Sequence, residues 1–313
     1  MHPDISIVVC TFNRADMLRD ALMSLTRLES KGAFSFEILV VDNASTDHTP
    51  QVAAEVAAGS SIAVRYVREE RQGVACARNR GLAEATGQWI AFFDDDQLAE
   101  PDWLAELFAI AQQQNSRCVG GSVRLKLPAD CTREIAAYCR PLLGESPQLG
   151  NPMRYGRKMA PGTGNVMIHR SVFDEVGRFD EQIVVRGEDS DLFERIDAAD
   201  IEAWYTPRAV VWHMIPPERL ADEYLLRLAH LSGWGPAKQD LVRRGKLALS
   251  VLWAARLARA ALMFAPNWFV KRLSGDREQA LAARCRLANT AGYSRSVLAL
   301  LGPRRFRIQG YGA

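Results

Sequence analysis

Trp89-Ile90-Ala91-Phe92-Phe93-Asp94-Asp95-Asp96 runs five apolar, partly aromatic residues straight into three carboxylates. A buried strand suits the first five, and no strand interior suits the last three. Adjacent like charges repel, and an acidic run is costly unless a cation neutralises it. Two readings fit. Either a strand ends at a pocket and offers carboxylates to a hard divalent cation, or the run is a solvated turn, Asp-rich because Asp favours turns.

Working outward, Ile5-Ser6-Ile7-Val8-Val9-Cys10 is short and β-branched and runs into Thr11-Phe12-Asn13-Arg14, a buried strand followed by a turn. Residues 15–28 place Met17, Leu18, Leu22, Leu25 and Leu28 at helical spacing. Phe36 to Val41 is a second strand, ending in Asp42-Asn43-Ala44-Ser45-Thr46-Asp47, which makes a turn and caps the next helix. A strand at 62–67, a helix at 74–86 and the strand at 89–93 complete a β-α-β-α-β-α-β alternation. That pattern predicts an α/β protein with parallel strands, right-handed crossovers and helices on both faces. Ligands of such sheets bind beyond the carboxyl ends of the strands. Three ends are polar here: Thr11/Asn13/Arg14, Asp42/Asn43 and Asp94/Asp95/Asp96. No GxGxxG follows the first strand, which disfavours a dinucleotide site.

Further along, Pro101-Asp102-Trp103 opens a helix and Cys118 to Val123 reads as a strand. Residues 124–160, interrupted by proline and glycine, read as a long irregular connection of the kind that forms lids or binding loops. Gly162-Thr163-Gly164-Asn165 permits close backbone approach to a ligand and leads into a strand and a short helix at 171–176. Gly187-Glu188-Asp189-Ser190-Asp191 starts a helix at 188–199, where acids also suit the helix dipole. Trp204 to Val211 holds one or two short strands followed by Trp212-His213, and a helix at about 219–232 closes the main domain.

The chain has 313 residues, enough for one large α/β domain with an appendage, and its 48% apolar and 24% charged content is that of a globular protein. Its net charge of +2 conceals an asymmetry. Residues 1–235 carry 24 Lys and Arg against 34 Asp and Glu, whereas residues 236–313 carry 15 against 3. A basic tail on an acidic body points to an anionic partner for the tail. Six cysteines show no CxxC pair or metal-ligand spacing, which fits a reducing compartment, and the N-terminus lacks a signal-peptide pattern.

Seven pieces in this order and spacing resemble a family 2 glycosyltransferase with the GT-A fold, over about residues 4–235. They are Ser6–Arg14, Val40–Asp47, Gly73-Val74-Ala75-Cys76-Ala77-Arg78-Asn79-Arg80-Gly81, Phe92–Asp96, Gly162–Asn165, Gly187–Leu192 and Trp212-His213. The resemblance implies a Rossmann-like mixed sheet flanked by helices, with a nucleotide-binding half at about 1–123 and an acceptor-side half at about 124–235. It implies an inverting transfer of a sugar from a nucleotide-diphosphate sugar, UDP ahead of other bases, to a hydroxyl of a glycan or lipid-linked acceptor in cell-surface polysaccharide synthesis. Mg²⁺ or Mn²⁺ would offset charge on the departing diphosphate.

By the same resemblance, Asp96 is the foremost metal ligand, with Asp94 flanking it, and Asp94 and Asp95 also stand near the ribose. Thr11 and Asp42 contact the base, Arg78 lies near the nucleotide or its phosphates, and Asn13, Arg14 and Asn43 complete the nucleotide site. His213 is a further candidate ligand, although from position alone a structural histidine is the commoner case. Met214-Ile215-Pro216-Pro217 reads as a mobile segment able to close over the diphosphate. The acceptor hydroxyl needs a general base. Asp189 is the choice, with Glu188 as neighbour or substitute, while Gly164 and Asn165 line the donor-sugar or acceptor site.

Residues 236–313 read as a helical, basic extension. Within it, residues 247–265 form an amphipathic helix with Arg256 and Arg259 on one face and Leu247, Val251, Ala254, Ala258, Leu262 and Ala265 opposite. The arginines make spanning costly, so lying at an anionic membrane surface fits, with packing on protein as the alternative. A helix at about 276–300 would pair with it. The expected location is cytoplasmic and peripheral on the inner face of the cell membrane, and an oligomer is left open. Nucleic acid is a poor partner, because the tail lacks an aromatic-interleaved pattern. Other readings are a sugar-nucleotide pyrophosphorylase, which lacks its glycine-rich N-terminal loop here, a processive synthase, which lacks QxxRW, and a non-catalytic scaffold or binding subunit of a glycan-assembly complex.

Overall fold

The computed structural model describes residues 2–156, 159–183 and 187–301 and divides into two units. Residues 302–313 of the expected extension lie outside the described residues. The first unit comprises Met1–Lys126 and Ser146–Met214, and the second Leu127–Glu145 and Ile215–Ala313.

In the first unit, strands β1 (Ile5–Thr11), β2 (Phe36–Asp42), β3 (Val64–Arg68) and β4 (Trp89–Asp94) are parallel in the order β3-β2-β1-β4. Helices α1 (Ala15–Leu25), α2 (Thr49–Gly59) and α3 (Val74–Glu84) connect them. Strand residues alternate between two cores, as the pleat requires. Ile5, Ile7, Val9, Ile38, Val40, Ala91 and Phe93 join one core with α1 and α2, while Val8, Leu39, Val41, Ile90 and Phe92 join the other with α3. The register pairs Thr11 with Asp42 and Cys10 with Asp94. The polar ends therefore finish at one sheet edge.

Past β4 the sheet becomes mixed. Strands β5 (Gln97–Ala99), β6 (Cys118–Lys126), β7 (Met153–Arg154), β8 (Asn165–His169) and β9 (Ala203–Met214) complete the order β3-β2-β1-β4-β8-β6-β9-β5, with β7 on β9. Strand β8 is antiparallel to β4 and β6, β9 is parallel to β6, and β5 is antiparallel to β9. Helices α4 (Trp103–Gln113), α5 (Arg170–Val176) and α6 (Glu188–Ala198) cover this half. Where the sequence suggested one or two short strands, β9 is a single strand of 12 residues that includes His213. Its register on β6 jumps from Gly120↔Tyr205 to Ser122↔Val210, so Thr206–Ala209 bulge out and Pro207 sits where no ladder donor is needed. The bulge gave the sequence its broken look.

A buried carboxylate joins the parallel strands. Ser6 Oγ and Thr86 Oγ1 donate to Glu37 Oε1 at 2.6 and 2.8 Å, and Arg65 Nη1 donates to Oε2 at 3.1 Å. Burial pushes the Glu37 carboxyl up, but hydrogen bonds from Ser6, Thr86 and Arg65 outweigh it and hold it below the usual glutamate range. Its stabilisation is therefore complete above the unfolded-chain value of about 4.3 and is lost as pH falls through the lower folded value. Glu37→Ala is expected to cost about 3 kcal/mol, read as a lower urea midpoint at unchanged slope. A midpoint equal to the parent's at pH 7 would refute this role.

The second unit is helical: α7 (Asp222–Ser232), α8 (Trp234–Arg259), a π-helical segment (Ala260–Phe264), α9 (Ala265–Leu273) and α10 (Arg277–Leu301). The backbone breaks from helical geometry at Gly245, with φ of 78°. Ala237, Leu249, Tyr293 and Val297 form its core, with Leu241 and Trp253 packed against it. Helix α10 crosses α7 so closely that a Cβ on Gly292 would fall 1.8 Å from the His230 carbonyl oxygen. Arg133 ties the segment Leu127–Glu145 to the helices through Asp222 (2.9 Å) and Glu278 (2.6 Å).

The two units divide between Met214 and Ile215, ahead of the expected boundary at residue 235. Helix α7 buries Leu225, Leu228 and Ala229 and belongs with the C-terminal helices, as does part of the long connection. Its apolar stripe shows that it is buried, but not that its partner starts 45 residues after its own end, at Arg277. Among the described residues the six cysteines are free, with Cys139 Sγ and Cys285 Sγ 4.0 Å apart.

Candidate active site

The acidic run sits at the end of β4, where the chain turns into β5. Arg14, just past β1, bridges it: Nη1 lies 2.9 Å from Asp95 Oδ1 and 3.1 Å from Asp96 Oδ2. On the other side of Asp96, His213 Nε2 stands 3.4 Å from Oδ2. Its place follows from register, because His213 pairs with Gln97 across β5 and β9. The Met214 amide also donates to the Asp96 carbonyl at 2.8 Å.

Asp94 faces Arg78 instead, whose Nη2 is 3.9 Å from Asp94 Oδ1. Desolvation raises the Asp94 carboxyl, Arg78 pulls it down, and Asp96 and Asp95 raise it further, leaving it pushed up to about 6. With 44% of the side chain open to solvent, desolvation is the weaker cause and like-charge repulsion the firmer one. Asp95 is likewise raised, first by burial, against the pull of Arg14.

Arg78 reaches the second acidic group as well. Its Nη1 donates to Glu188 Oε1 at 2.5 Å, and its guanidinium lies over the Phe179 ring at 5.5 Å. Glu188 Oε2 accepts the Gly187 amide at 3.0 Å, so both oxygens of this buried carboxylate are committed. Asp189 differs. Only Oδ1 has bonds among the described residues, from the amide and hydroxyl of Ser190 at 2.7 and 3.4 Å.

Gly164 lies directly against the acidic run. A Cβ there would come within 2.3 Å of Asp94 Oδ2 and 2.6 Å of Gln97 Nε2. Gly164→Ala is therefore expected to displace the Asp94 carboxylate and lower kcat/KM about 100-fold, with the thermal midpoint nearly unchanged. Parental kcat/KM would show that Asp94 has room to spare.

Several residues expected at the ligand make hydrogen bonds within the scaffold. Asn165 Nδ2 donates to the carbonyls of Ser122 and Ala209, both at 3.0 Å, and Oδ1 accepts from Trp103 Nε1 at 2.8 Å. Every polar atom of that buried amide is used, so it braces β8 between β6, β9 and α4. Asn43 accepts from the Gly73 amide at 2.8 Å and donates to the Arg71 carbonyl at 2.7 Å. Asn13, at φ 51°, accepts from the Thr46 amide at 2.8 Å. Both hold loops together. Asp42 is fully buried and accepts from the Ser45 amide (2.8 Å), Tyr66 Oη (2.6 Å) and Arg68 Nη1 (3.2 Å). A base contact there would share oxygens with Tyr66 and Arg68. Thr11 is buried at the same edge, and its carbonyl accepts the Asn43 amide at 2.9 Å. The segment expected to close over the diphosphate has Ile215 buried and continues as a 3₁₀ turn at Pro217–Leu220.

Gln97 carried little signal in the sequence. It comes directly after the acidic run, is 4% exposed, and its Oε1 is buried with no hydrogen-bond partner among the described residues. Its position immediately after three aspartates was the only hint. Tyr66 and Arg68 were also missed, although Arg68 pairs with Asp42 in the β2–β3 register.

A family model, Glycosyl transferase family 2, matches residues 6–177. The chain belongs to this family. Glycosyltransferase AglE of Haloferax volcanii is 24% identical over 254 residues, 80% of each chain. Succinoglycan biosynthesis protein ExoO of Rhizobium meliloti is 28% identical over 298 residues, 90% of this chain and 82% of that one. Among solved structures, the mannosyltransferase PcManGT from Pyrobaculum calidifontis, in complex with GDP-Man and Mn²⁺, superposes with a TM-score of 0.61 at 20% identity, covering 94% of this chain and 88% of its own. That likeness speaks to the fold, which is GT-A. The chain is a glycosyltransferase, and the clustered acids at its strand ends are the natural place to look for its chemistry.

The residues present fit a hard divalent cation. Asp96 and His213 offer oxygen and nitrogen at one spot, and the unmet Gln97 Oε1 belongs to the strand paired with His213. Among the described residues no group of three or more such side chains is already gathered for a metal.

Proposed function

We propose that this family 2 glycosyltransferase moves a sugar from a nucleotide-diphosphate sugar to a hydroxyl of a glycan or lipid-linked acceptor, with inversion at the anomeric carbon. The observation that carries this reading is the division of labour between the two acids at the start of α6. Glu188 is neutralised by Arg78, whereas Asp189 keeps one oxygen without a partner among the described residues. A general base needs such an oxygen to accept the acceptor's proton. Attack from the Asp189 side, opposite the departing diphosphate, inverts the centre.

Asp96 and His213 would hold Mn²⁺ or Mg²⁺, with Asp94 beside them. Such an ion, when bound, supplies Lewis-acid stabilisation of charge on the leaving diphosphate. Arg14 holds Asp95 and Asp96 in place, and Arg78 holds Asp94 and Glu188. At the β1–β2 edge Thr11 and Asp42 would receive the nucleotide base, with Asp95 towards the ribose. Succinoglycan biosynthesis in the name of a relative supports a polysaccharide product. GDP-Man in the structural neighbour makes a GDP-sugar the second donor to try after UDP-sugars. The C-terminal helices would associate with an anionic membrane surface on the cytoplasmic side. In support, an 18-residue window within Asp222–Leu273 has mean hydropathy 1.6 yet is only 11% buried.

The test is hydrolysis and transfer with a panel of UDP- and GDP-sugars, with and without Mn²⁺. Metal-stimulated turnover of one donor is the expected result. Absence of both binding and turnover across the panel would favour a non-catalytic subunit of a glycan-assembly complex.

A further inference from the structure

The second unit contains a cavity of about 470 Å³ whose lining includes Arg256, Arg259 and Arg286 and no carboxylate. Like charges so gathered repel, and a fold ordinarily places acids between them. Here none of the three makes an ion pair among the described residues. Four acids of the unit are engaged elsewhere: Asp222 and Glu278 hold Arg133, Asp240 accepts from Tyr293, and Asp276 pairs with Lys271.

Aromatic rings hold the guanidinium groups instead. Arg256 lies over Tyr293 at 4.0 Å and Arg286 over Tyr138 at 4.6 Å. Arg259 and Arg286 share the Phe264 ring, at 5.3 and 5.8 Å. A ring contact engages the face of a guanidinium and leaves N–H groups at its edge able to donate, although Arg256 also hydrogen-bonds Tyr293. Planar donor forks converging on one cavity suit a tetrahedral anion with several acceptor oxygens.

We infer that this arginine cavity binds a phosphate-bearing group, a phosphate monoester or a diphosphate. The group could be a lipid headgroup or a free phosphate. Exposed Leu257, Leu262 and Met263 interleave with Arg256, Arg259 and Phe264 along the chain, an arrangement that suits an amphiphile. The inference rests on the second unit alone and does not depend on the catalytic reading.

The test compares the full chain with Arg256→Gln/Arg259→Gln/Arg286→Gln and with a charge-matched control, Lys246→Gln/Lys271→Gln/Arg272→Gln. Each is titrated with phosphatidylcholine vesicles containing phosphatidic acid, with vesicles containing phosphatidylserine at equal surface charge, and with inorganic pyrophosphate. The parent and the control are expected to prefer phosphatidic acid, and the cavity variant to lose that preference with about 100-fold weaker binding, roughly fivefold per arginine. Pyrophosphate binding without any lipid preference would support the site and assign it to a soluble phosphate. Equal losses in the cavity and control variants, or no phosphate binding in any arm, would overturn it. Circular dichroism checks folding. If the triple variant unfolds, exposed Arg259→Gln carries the test, with about fivefold loss expected and none overturning the site. Donor hydrolysis should remain parental in the cavity variant, which separates this result from any failure at Asp189 or Asp96.

Discussion

Asp189→Asn should stop transfer while leaving donor binding intact. The substitution keeps the size and the Ser190 contact but removes the basic oxygen, so the acceptor hydroxyl can no longer hand over its proton. A positioned base contributes about 10²- to 10⁴-fold, and the loss should fall in kcat with little change in donor Kd. Glu188→Gln makes the contrast. It takes the negative charge from a buried pair with Arg78, so its first effect should be on stability, read as a lower unfolding midpoint. If Asp189→Asn turns over at the parental rate while Glu188→Gln folds normally and is inactive, the two roles are reversed.

Asp96→Ala should abolish the benefit of metal. Both Arg14 and His213 approach the Asp96 carboxylate, at 3.1 and 3.4 Å. The substitution takes away the carboxylate that shares this spot with His213, while Asp95 still retains Arg14. Calorimetric titration with UDP or GDP should then give the same Kd with and without Mn²⁺. Transfer should fall by about 10³-fold, the scale of losing a preorganised contact to a developing charge. Undiminished Mn²⁺-dependent binding would move the metal assignment to Asp94.

The first half of the fold was legible because short apolar runs alternated with helical spacing and each ended in polar residues. Parallel order then brought the ends of β1, β2 and β4 to one edge without further information. The acidic run, Arg14, Arg78, Glu188 and His213 are linked by ion pairs in the fold. Roles inside the cluster were harder to see. Asn43 and Asn165 are polar residues beside a site, and only the hydrogen-bond partners reveal that their amides are spent on loops and strands. Arg78 was expected near phosphates, but its pairing with a glutamate 110 residues away depends on how α6 packs. Gln97 carried no signal beyond its address. Helix α7 had a legible periodicity, but an apolar stripe does not name what covers it.

The loop-out at Thr206–Ala209 has a consequence for how this scaffold tolerates change. A pleated strand reverses every side chain when one residue is inserted, so an insertion between Val210 and His213 would turn the imidazole away from Asp96. The same insertion within Thr206–Ala209 falls where pairing with β6 is already interrupted, and can be absorbed without altering the register from Val210 onward. The bulge thus acts as a mechanical fuse. Length can vary on the far side of β9 while the four residues that set His213 beside Asp96 keep their phase.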